Sequence, residues 1–485
     1  MSAVKLADLN PASVFGFFEE ICAIPHGSRN TKAISDYLVD FAKTRGLRYF
    51  QDEVNNVVIF QDGTCGYENH EPVILQGHMD MVCEKDASCP LDMAVDGLDV
   101  THDGAYVFAK GTTLGADNGI GAAAILAVLE DKTLVHGPVE ALFTATEETG
   151  MDGAFGLKGG LLQGDILLNL DSETEGELYV GCAGGLDANI TLPYTAEAAP
   201  AGYVAYAVEV KGLKGGHSGI QIGYQRANAN RELFRLLNAS ACDIRLSSVD
   251  GGGLRNAIPR EATAVVLVAE SDVATFEAEV VAFEKTLIAE YANIEDSVSV
   301  KATVVATPAE VIPADVVTKL AKAVIGAPNG VVKMSVEMEG LVQTSSNLAR
   351  VVSDGSCVKI QCLLRSSVNS EKHALGAAIK GVFELAGATV ELSGDYDGWK
   401  PNMESPILHT MLASYESLYG KKPAVMAIHA GLECGIIGGK YEGLDMISFG
   451  PTICFPHSPD EKVEIASVGK FYSFLLHTLA NAPLK

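Results

Sequence analysis

Four segments of this chain carry acidic or imidazole side chains where an α/β sheet would present them at one edge. Strand-like runs lead into His78, into the pair at residues 147–148 and into Asp171, and a glycine-rich turn before an apolar helix carries Asp117. In open α/β sheets, binding sites form at the carboxyl ends of the strands. The pattern therefore predicts an α/β domain with one polar site at the edge of its sheet.

The glycine-rich turn at residues 111–121 also fits a loose dinucleotide-binding loop, so that interpretation has to be weighed. Such loops normally follow an early hydrophobic strand, and residues 110–114 do not resemble one. The carboxylate of Asp117 would also repel a pyrophosphate. The turn is therefore interpreted as the support of a polar site, with Asp117 at its centre.

Length and charge limit the possible partners. The chain has 485 residues, enough for two domains with separate cores. Its 62 acidic residues outnumber the 35 basic ones, and the net charge of -27 repels phosphate backbones, so we expect no nucleic-acid partner. The apolar run at residues 120–129 is too short to cross a bilayer, and residues 1–10 lack the apolar segment of a signal peptide. We therefore expect no membrane partner and a cytoplasmic location.

The ten cysteines are scattered and form no C-x-x-C pair. Reduced thiols in a cytosolic protein are the expected state. Cys83, Cys182 and Cys434 lie near the candidate site segments. We interpret all three as buried bystanders and not as metal ligands.

The alternation of strands and helices predicts an interrupted catalytic domain. Residues 52–60 and 72–76 are expected to be strands of a parallel sheet. Near residue 184 the pattern changes to β-like runs alternating with long amphipathic helices, such as 227–238 and 273–289, which suits an α+β insertion. The predicted domains are residues 1–185 and 394–485 for the two catalytic parts and 186–393 for the inserted lid.

Five residues together predict a site for two metal ions. Imidazole and carboxylate ligands without cysteine suit zinc, and also manganese or cobalt. Five ligands suffice for two ions if one carboxylate bridges, and Asp117 is central in the set. Glu147 and Glu148 are expected to be extended and so to face opposite sides, which allows one ligand and one base. The proposed ligands are His78, Asp117, Glu148, Asp171 and His457.

Several motifs resemble those of the dinuclear zinc peptidases, a family that includes aminoacylase, peptidase T and carnosinase. The resemblance covers nearly the whole chain and is strongest to the branch that hydrolyses Xaa-His dipeptides. It implies a zinc-peptidase catalytic domain with a central mixed sheet flanked by helices, interrupted by an α+β lid or dimerisation domain. The motifs are QGHMDMV at 76–82, GTTLGADNGIG at 111–121, TEETGMDGAFGL at 146–157, KGGHSG at 214–219, LRNAIPREA at 254–262, IHAGLECG at 428–435, GPTI at 450–453 and PHSPD at 456–460.

This resemblance implies a role for each residue of the metal site. His78 and Asp171 would hold one zinc ion, Glu148 and His457 the other, and Asp117 would bridge them. A hydroxide bridging the two metals would attack the substrate. Glu147 would be the general base, and Asp80 would be the partner of His78. The resemblance and the glycine-rich turn also predict a cis peptide bond between Asp117 and Asn118.

In the inserted domain, the resemblance implies that His217 polarises the scissile carbonyl. Asn256 and Arg365 would receive the backbone and the terminal carboxylate of the substrate, and His429 and Glu433 would also bind substrate. Without the resemblance, His217 would be interpreted as a loop histidine and Arg365 as a surface strand residue. A weak internal similarity also leaves Asn347 as a competitor of Asn256.

The implied activity is the hydrolysis of dipeptides with free termini, including Xaa-His and carnosine-like dipeptides. The resemblance also implies a homodimer, and leaves open whether the lid acts in the same subunit or across the dimer. Two alternatives remain. An N-acyl amino acid deacylase would share every metal ligand, and a metal-binding protein without activity would be expected to lack Glu147.

Overall fold

The structure, a computed structural model, describes residues 6–483 and divides into two compact units. The first unit runs to Gly181 and resumes over Pro401–Ala427 and from Leu432 onward. The second comprises Cys182–Lys400 and Ile428–Gly431. The predicted domain boundaries, at 185/186 and 393/394, and the lid role of the inserted segment remain predictions.

Strands outnumber helices along the described chain. The strands are β1 Arg48–Gln51, β2 Val57–Gln61, β3 Val73–His78, β4 Val100–His102, β5 Tyr106–Ala109, β6 Val139–Thr144, β7 Ile166–Asn169, β8 Glu177–Cys182, β9 Gly184–Pro193, β10 Glu197–Ala198, β11 Tyr203–Lys211, β12 Gly216–His217, β13 Ile244–Gly252, β14 Ala257–Ile258, β15 Ala262–Ala269, β16 Ser299–Val304, β17 Glu310–Val311, β18 Gly330–Met334, β19 Val342–Ser353, β20 Cys357–Ser366, β21 Thr389–Tyr396, β22 Ala424–Ile428, β23 Asp445–Ser448, β24 Ile453–Cys454 and β25 Lys462–Glu464. The α-helices are α1 Ala12–Cys22, α2 Lys32–Arg45, α3 Ala116–Glu130, α4 Asp152–Gly156, α5 Ala229–Ala239, α6 Val273–Glu290, α7 Ala314–Gly326, α8 Asn369–Leu385, α9 Pro406–Tyr419, α10 Glu433–Lys440 and α11 Ile465–Ala480.

The first unit is built on an eight-stranded mixed sheet in the order β1-β2-β6-β3-β7-β23-β8-β22. β3 is parallel to both β6 and β7, and β23 is parallel to β7. Every residue of β3, β6 and β7 is buried, as expected for strands covered on both faces. The apolar helix α3 packs against α1 and β3. The predicted α/β class with a central mixed sheet is confirmed.

One predicted strand is wrong in its start and in its direction. Residues 52–60 were expected to form one strand of a parallel sheet, but β2 begins at Val57 and is antiparallel to both of its neighbours. The preceding residues form a turn, because the Asp52 carboxylate accepts hydrogen bonds from the N–H groups of Val54 and Asn56, at 3.0 and 2.8 Å. Local polar bonding therefore interrupts the strand where the apolar pattern alone would continue it.

The second unit is built on a nine-stranded sheet. Eight of its strands follow the order β16-β11-β15-β13-β19-β20-β9-β21, and β18 pairs with β19. Each of the pairings described within this sheet is antiparallel. Helices α5 to α8 contribute Phe234, Phe276, Leu320 and Phe383 to one hydrophobic core with the strands. This is the α+β arrangement expected for the insertion.

Two further observations concern membranes and thiols. Within residues 6–483, no helix combines the length and the apolar character that crossing a membrane requires. All ten cysteines are free thiols, as predicted. Cys182 and Cys434 are buried, whereas Cys83, which was also expected to be buried, is exposed.

Candidate active site

The parallel strands of the first unit end at a common edge of the sheet. His78 is the last residue of β3, Glu147 and Glu148 follow the end of β6, and Asp171 follows the end of β7. Asp117 lies in the first turn of α3, and His457 lies in the loop between β24 and β25. Because parallel strands end on the same side of a sheet, the fold brings together residues that are far apart in sequence.

Asp117 lies between two pairs of side chains, each formed by a histidine and a carboxylate. Its Oδ1 lies 3.1 Å from His78 Nε2, which is 3.3 Å from Asp171 Oδ1. Its Oδ2 lies 3.1 Å from His457 Nε2, which is 3.1 Å from Glu148 Oε1. The structure therefore brings all five predicted ligands together and gives Asp117 the central position.

The five residues fit metal ions. Donor atoms that share a tetrahedral zinc ion at about 2.0–2.2 Å lie about 3.3 Å apart, close to the separations found here. Glu148 Oε1 and Asp171 Oδ1 are buried, and each faces a histidine Nε2, at 3.1 and 3.3 Å. One donor atom of His78, one of Asp117 and one of Glu148 lie within 4.8 Å of one another. Buried carboxylates are normally paired or coordinate metals, and a cluster of three carboxylates with two histidines suits the second case.

The crowding of acids shifts the pKa values of the cluster. Burial raises the pKa of Glu147 to about 8, the charge of His78 opposes this, and nearby acids such as Glu433 add to it. Hydrogen bonds to Asp117 and Glu148 raise the pKa of His457 to about 11. Cations stabilise such a cluster, and metal binding would displace protons from it because ligands coordinate in their deprotonated forms.

Asp80 faces His78 with both its backbone carbonyl and its carboxylate. His78 Nδ1 donates a hydrogen bond of 2.9 Å to the backbone carbonyl of Asp80, whereas the nearest carboxylate oxygen of Asp80 is 3.6 Å away. The carboxylate also accepts hydrogen bonds from the N–H group of Glu147 at 2.9 Å and from Ser28 Oγ at 2.8 Å. Because Nδ1 of His78 donates to the carbonyl, Nε2 is the atom that can bind a metal. The carboxylate of Asp80 fixes the loop that carries Glu147 and Glu148.

Glu147 and Glu148 are not extended, so the expected alternation of facing sides does not apply to them. β6 ends at Thr144, and the carbonyl of Glu147 accepts turn hydrogen bonds from the N–H groups of Gly150 and Met151 at 3.1 and 2.9 Å. The turn still separates the pair, because Glu148 faces His457. Within residues 6–483, the Glu147 carboxylate accepts no hydrogen bond from the protein.

The glycine-rich turn brings backbone very close to Asn118. Asn118 Nδ2 donates a hydrogen bond of 2.5 Å to the carbonyl of Leu170, the residue before Asp171. A Cβ atom at Gly121 would lie 2.4 Å from both the Asn118 side chain and the Leu170 carbonyl, so only glycine fits there. The peptide bond between Asp117 and Asn118 is cis, as predicted.

Glu461 holds the same turn from the other side. This residue is 2% exposed, and its carboxylate accepts hydrogen bonds from the N–H groups of Leu114, Gly115 and Ala116 at 2.9, 3.2 and 2.8 Å. These residues directly precede Asp117, and Glu461 itself follows His457 by four residues. One buried carboxylate therefore connects the two loops that carry Asp117 and His457.

We expect Glu461→Gln to weaken metal binding and turnover by about 10–100-fold, the usual range for groups that orient metal ligands. The amide keeps the size of the side chain but replaces one acceptor oxygen with a donor that faces backbone N–H groups. Metal affinity and turnover should be measured together, with Asp460→Asn, an exposed neighbour, as the control. Unchanged metal affinity in Glu461→Gln would contradict this role.

Hydrogen bonds within the second unit determine which ring nitrogen of His217 carries the proton. His217 lies in β12, which pairs with β14, and its Nδ1 accepts hydrogen bonds from the N–H groups of Gly219 and Ile220 at 3.2 and 3.1 Å. Burial and the charge of Arg365 lower the pKa of His217. The neutral ring therefore carries its proton on Nε2, which makes that atom a hydrogen-bond donor.

Arg365 and His429 approach His217 around Gly219. A Cβ atom at Gly219 would lie 2.2 Å from the His429 carbonyl, 3.0 Å from His217 Cε1 and 3.2 Å from Arg365 Nε. Arg365 is 6% exposed, its Nη1 donates to Tyr396 Oη at 3.3 Å, and its Nε has no partner among the described residues. A buried guanidinium with a free donor suits a carboxylate ligand.

His429 is buried beside this cluster and does not add to its charge. Its Nε2 lies 2.7 Å from Ser345 Oγ. Burial, Arg365 and His217 lower the pKa of His429 to about 3, so the ring is neutral at pH 7. The predicted binding role of His429 remains a prediction.

Asn256 and Asn347 differ in their surroundings. Asn347 is buried and donates hydrogen bonds to the carbonyls of Arg255 and Ala257, at 3.1 and 2.8 Å, on either side of Asn256. Asn256 is exposed, and its backbone carbonyl accepts a hydrogen bond of 2.8 Å from the N–H group of Ser218. The geometry gives Asn347 a supporting position and leaves the amide of Asn256 available to a ligand.

Glu433 is buried in the first unit. Its Oε2 accepts hydrogen bonds from Gln76 Nε2 and Thr144 Oγ1, both at 2.7 Å, near the carboxyl ends of β3 and β6. Its Oε1 is buried with no hydrogen-bond partner among the described residues. These contacts support the strand ends under the metal site, and the substrate-binding role of Glu433 remains a prediction.

Sequence reasoning missed Glu461, Ser345 and Tyr396. Glu461 could have been noticed, because it follows the PHSPD motif that contains His457. Ser345 and Tyr396 lie in strands with no motif around them. Strand pairing places Ser345 opposite Arg365 and Tyr396 opposite Gly185, which itself pairs with Arg365.

The chain is similar to known proteins along nearly its full length. The chain is 43% identical over 483 residues to the cytosol non-specific dipeptidase of Escherichia coli, covering 99% of this chain and 100% of that protein. It superposes on the crystal structure of the aminoacylhistidine dipeptidase of Vibrio alginolyticus with a TM-score of 0.95 and 44% identity, covering 99% and 98% of the two chains. This confirms the resemblance to the Xaa-His branch.

A more distant structure shares the fold alone. The aminopeptidase PepT of Bacillus cereus aligns with a TM-score of 0.58 at 15% identity, covering 98% of this chain and 99% of the other. The sequence profile described as Peptidase family M20/M25/M40 matches residues 74–481, a span that begins in β3 and ends after α11. That span contains all five proposed metal ligands and the residues around His217, and the chain belongs to peptidase family M20/M25/M40.

Proposed function

We propose that this protein is a metal-dependent dipeptidase. Its substrates are dipeptides with free termini, including Xaa-His and carnosine-like dipeptides. The observation that carries the proposal is the position of Asp117, whose two oxygens each face a separate pair of a histidine and a carboxylate. This arrangement fits two metal ions that share one carboxylate. The names of the two full-length relatives, both dipeptidases, support the substrate class.

The proposed ligands are those predicted from the sequence. His78 and Asp171 would hold one divalent ion, Glu148 and His457 the other, and Asp117 would bridge them. Imidazole and carboxylate donors suit zinc best, with cobalt and manganese as alternatives. The chemistry that bound ions supply is Lewis acidity, which lowers the pKa of water and polarises a carbonyl.

Glu147 is the proposed general base. Its carboxylate accepts no hydrogen bond within residues 6–483, while the Asp80 carboxylate fixes its backbone N–H group at 2.9 Å. It is therefore held in position but free to take a proton from the attacking water. The same group then gives that proton to the leaving amine, since the peptide nitrogen must be protonated to depart.

The second unit supplies the proposed contacts to the rest of the substrate. His217 Nε2–H donates to the oxygen of the scissile carbonyl and stabilises the negative charge that develops there. Arg365 binds the terminal carboxylate with its guanidinium, and the exposed amide of Asn256 binds the substrate backbone. These three residues therefore bind the carboxyl-terminal part of a short peptide.

The test combines metal analysis with two substrate classes. Protein stripped with a chelator should lose activity and regain it with zinc, manganese or cobalt, at two ions per chain by elemental analysis. The restored enzyme should hydrolyse alanyl-histidine and carnosine faster than N-acetyl amino acids. Preference for the acetylated compounds would assign the chain to the deacylases. Absence of hydrolysis with both metal sites filled would show a protein without this activity.

Two further parts of the proposal rest on the relatives and on the resemblance. We propose that the protein acts in the cytosol, as the name of the E. coli relative states for that protein. We also propose a homodimer, which only the resemblance supports. Sedimentation analysis of the purified protein decides the oligomeric state.

A further inference from the structure

Glu173 is a carboxylate near the proposed ligands that the site described above does not use. It lies two residues after Asp171, in the loop between β7 and β8. Its backbone carbonyl accepts a hydrogen bond of 3.0 Å from the N–H group of Ile453, in the segment that leads to His457. The loop is therefore held against the chain that carries one of the proposed ligands.

The side chain of Glu173 differs from its acidic neighbours in the same loop. Glu175 accepts a hydrogen bond from the Tyr415 hydroxyl, and Glu177 accepts one of 2.9 Å from the Tyr179 hydroxyl. Glu173 is partly buried, and within residues 6–483 its carboxylate has no hydrogen-bond or ion-pair partner. A partly buried carboxylate in this state is costly unless a ligand pairs with it.

The surroundings of Glu173 favour a cationic ligand. Its electrostatic neighbours include Asp117, Glu148 and Glu461, which are acidic, and one basic group, His457. In the proposed function, Asp117, Glu148 and His457 bind metal ions, and Glu461 is occupied by three backbone N–H groups. Glu173 is thus the acid of this group that remains available for a cation brought by the substrate.

We propose that Glu173 is a specificity residue that binds the protonated α-amino group of the dipeptide. This inference rests on the proposed function. In an α-dipeptide such as alanyl-histidine a single carbon separates the amino group from the scissile carbonyl, so the ammonium must lie close to the groups that surround that carbonyl. A carboxylate binds an ammonium through charge-assisted hydrogen bonds. An N-acyl amino acid has no ammonium there, so Glu173 would select dipeptides over the substrates of a deacylase.

The test uses two substrates that differ only in the α-amino group, alanyl-histidine and N-propionyl-histidine. We expect Glu173→Gln to lower kcat/KM for alanyl-histidine by roughly 10–100-fold, the range for loss of a hydrogen bond to a charged group. The value for N-propionyl-histidine should stay unchanged, and the metal content should stay at two ions. The matched control is Glu175→Gln, which removes one charge from the same loop and should keep the wild-type ratio. Glu173→Asp, which keeps the charge, should retain more of the preference than Glu173→Gln.

Each other outcome has a definite meaning. An unchanged ratio in Glu173→Gln, with wild-type enzyme that hydrolyses alanyl-histidine, overturns the role of Glu173 and leaves the proposed function intact. Loss of metal from Glu173→Gln shows that Glu173 is a ligand, which also overturns the inference. Wild-type enzyme that prefers N-propionyl-histidine overturns the proposed function and the inference with it.

Discussion

Glu147→Gln is expected to bind two metal ions and dipeptide but to hydrolyse the dipeptide at least ~100-fold more slowly than the wild type. The substitution keeps the volume of the side chain and removes the proton acceptor, and general base catalysis is typically worth ~10²–10⁴-fold. Glu147 makes no ligand-type contact to either histidine of the cluster, so metal binding should persist. The measurement is metal content by elemental analysis alongside kcat for alanyl-histidine.

Glu148→Gln is the matched control, since it makes the same chemical change in the adjacent residue. Glu148 Oε1 lies 3.1 Å from His457 Nε2, on the same side as Asp117 Oδ2. We expect this variant to lose affinity at one metal site and to regain part of its activity in excess zinc or manganese. If Glu147→Gln loses metal while Glu148→Gln loses only turnover, the two roles are reversed.

His217→Ala is expected to lower kcat by ~10²–10³-fold while both metal ions remain bound. This is the typical cost of removing one donor that stabilises a developing oxyanion. His217 belongs to the second unit, whereas the metal ligands all belong to the first, so the substitution removes no ligand. Turnover and metal content again form the measurement.

His409→Ala is a suitable comparison for His217→Ala, because His409 is an exposed histidine on α9 with no place in the site. Its turnover should equal that of the wild type. Loss of metal from His217→Ala, or unchanged turnover in that variant, would show that His217 does not act on the scissile carbonyl.

The local elements of this protein could be predicted because their causes lie within a few residues. The amphipathic pattern at 273–289 corresponds to α6 at Val273–Glu290, and the pattern at 227–238 to α5 at Ala229–Ala239. The buried apolar runs of β3, β6 and β7 each precede a proposed ligand. A run of apolar residues that leads into an acid or a histidine already indicates where a strand ends and which side chain lies beyond its end.

The predictions of local structure were wrong where hydrogen bonds form a turn in place of an extended segment. The carboxylate of Asp52 turns the chain before β2, and turn hydrogen bonds fold the chain after Glu147 where an extended segment was expected. Asp80 contacts His78 with its backbone carbonyl at 2.9 Å as well as with its carboxylate at 3.6 Å, and the sequence did not indicate the carbonyl contact.

The sequence by itself determined the fold class, the choice of the five proposed ligands and the peptidase family, because residue types, spacing and motifs are local properties. Only the tertiary structure showed that Asp117 lies between two pairs, that Glu461 holds the turn before it and that Glu173 has no side-chain partner within residues 6–483. The Glu461 carboxylate and the N–H group of Leu114 are 347 residues apart in sequence and 2.9 Å apart in space. Such contacts arise from the packing of distant segments, and no local pattern of residues encodes them.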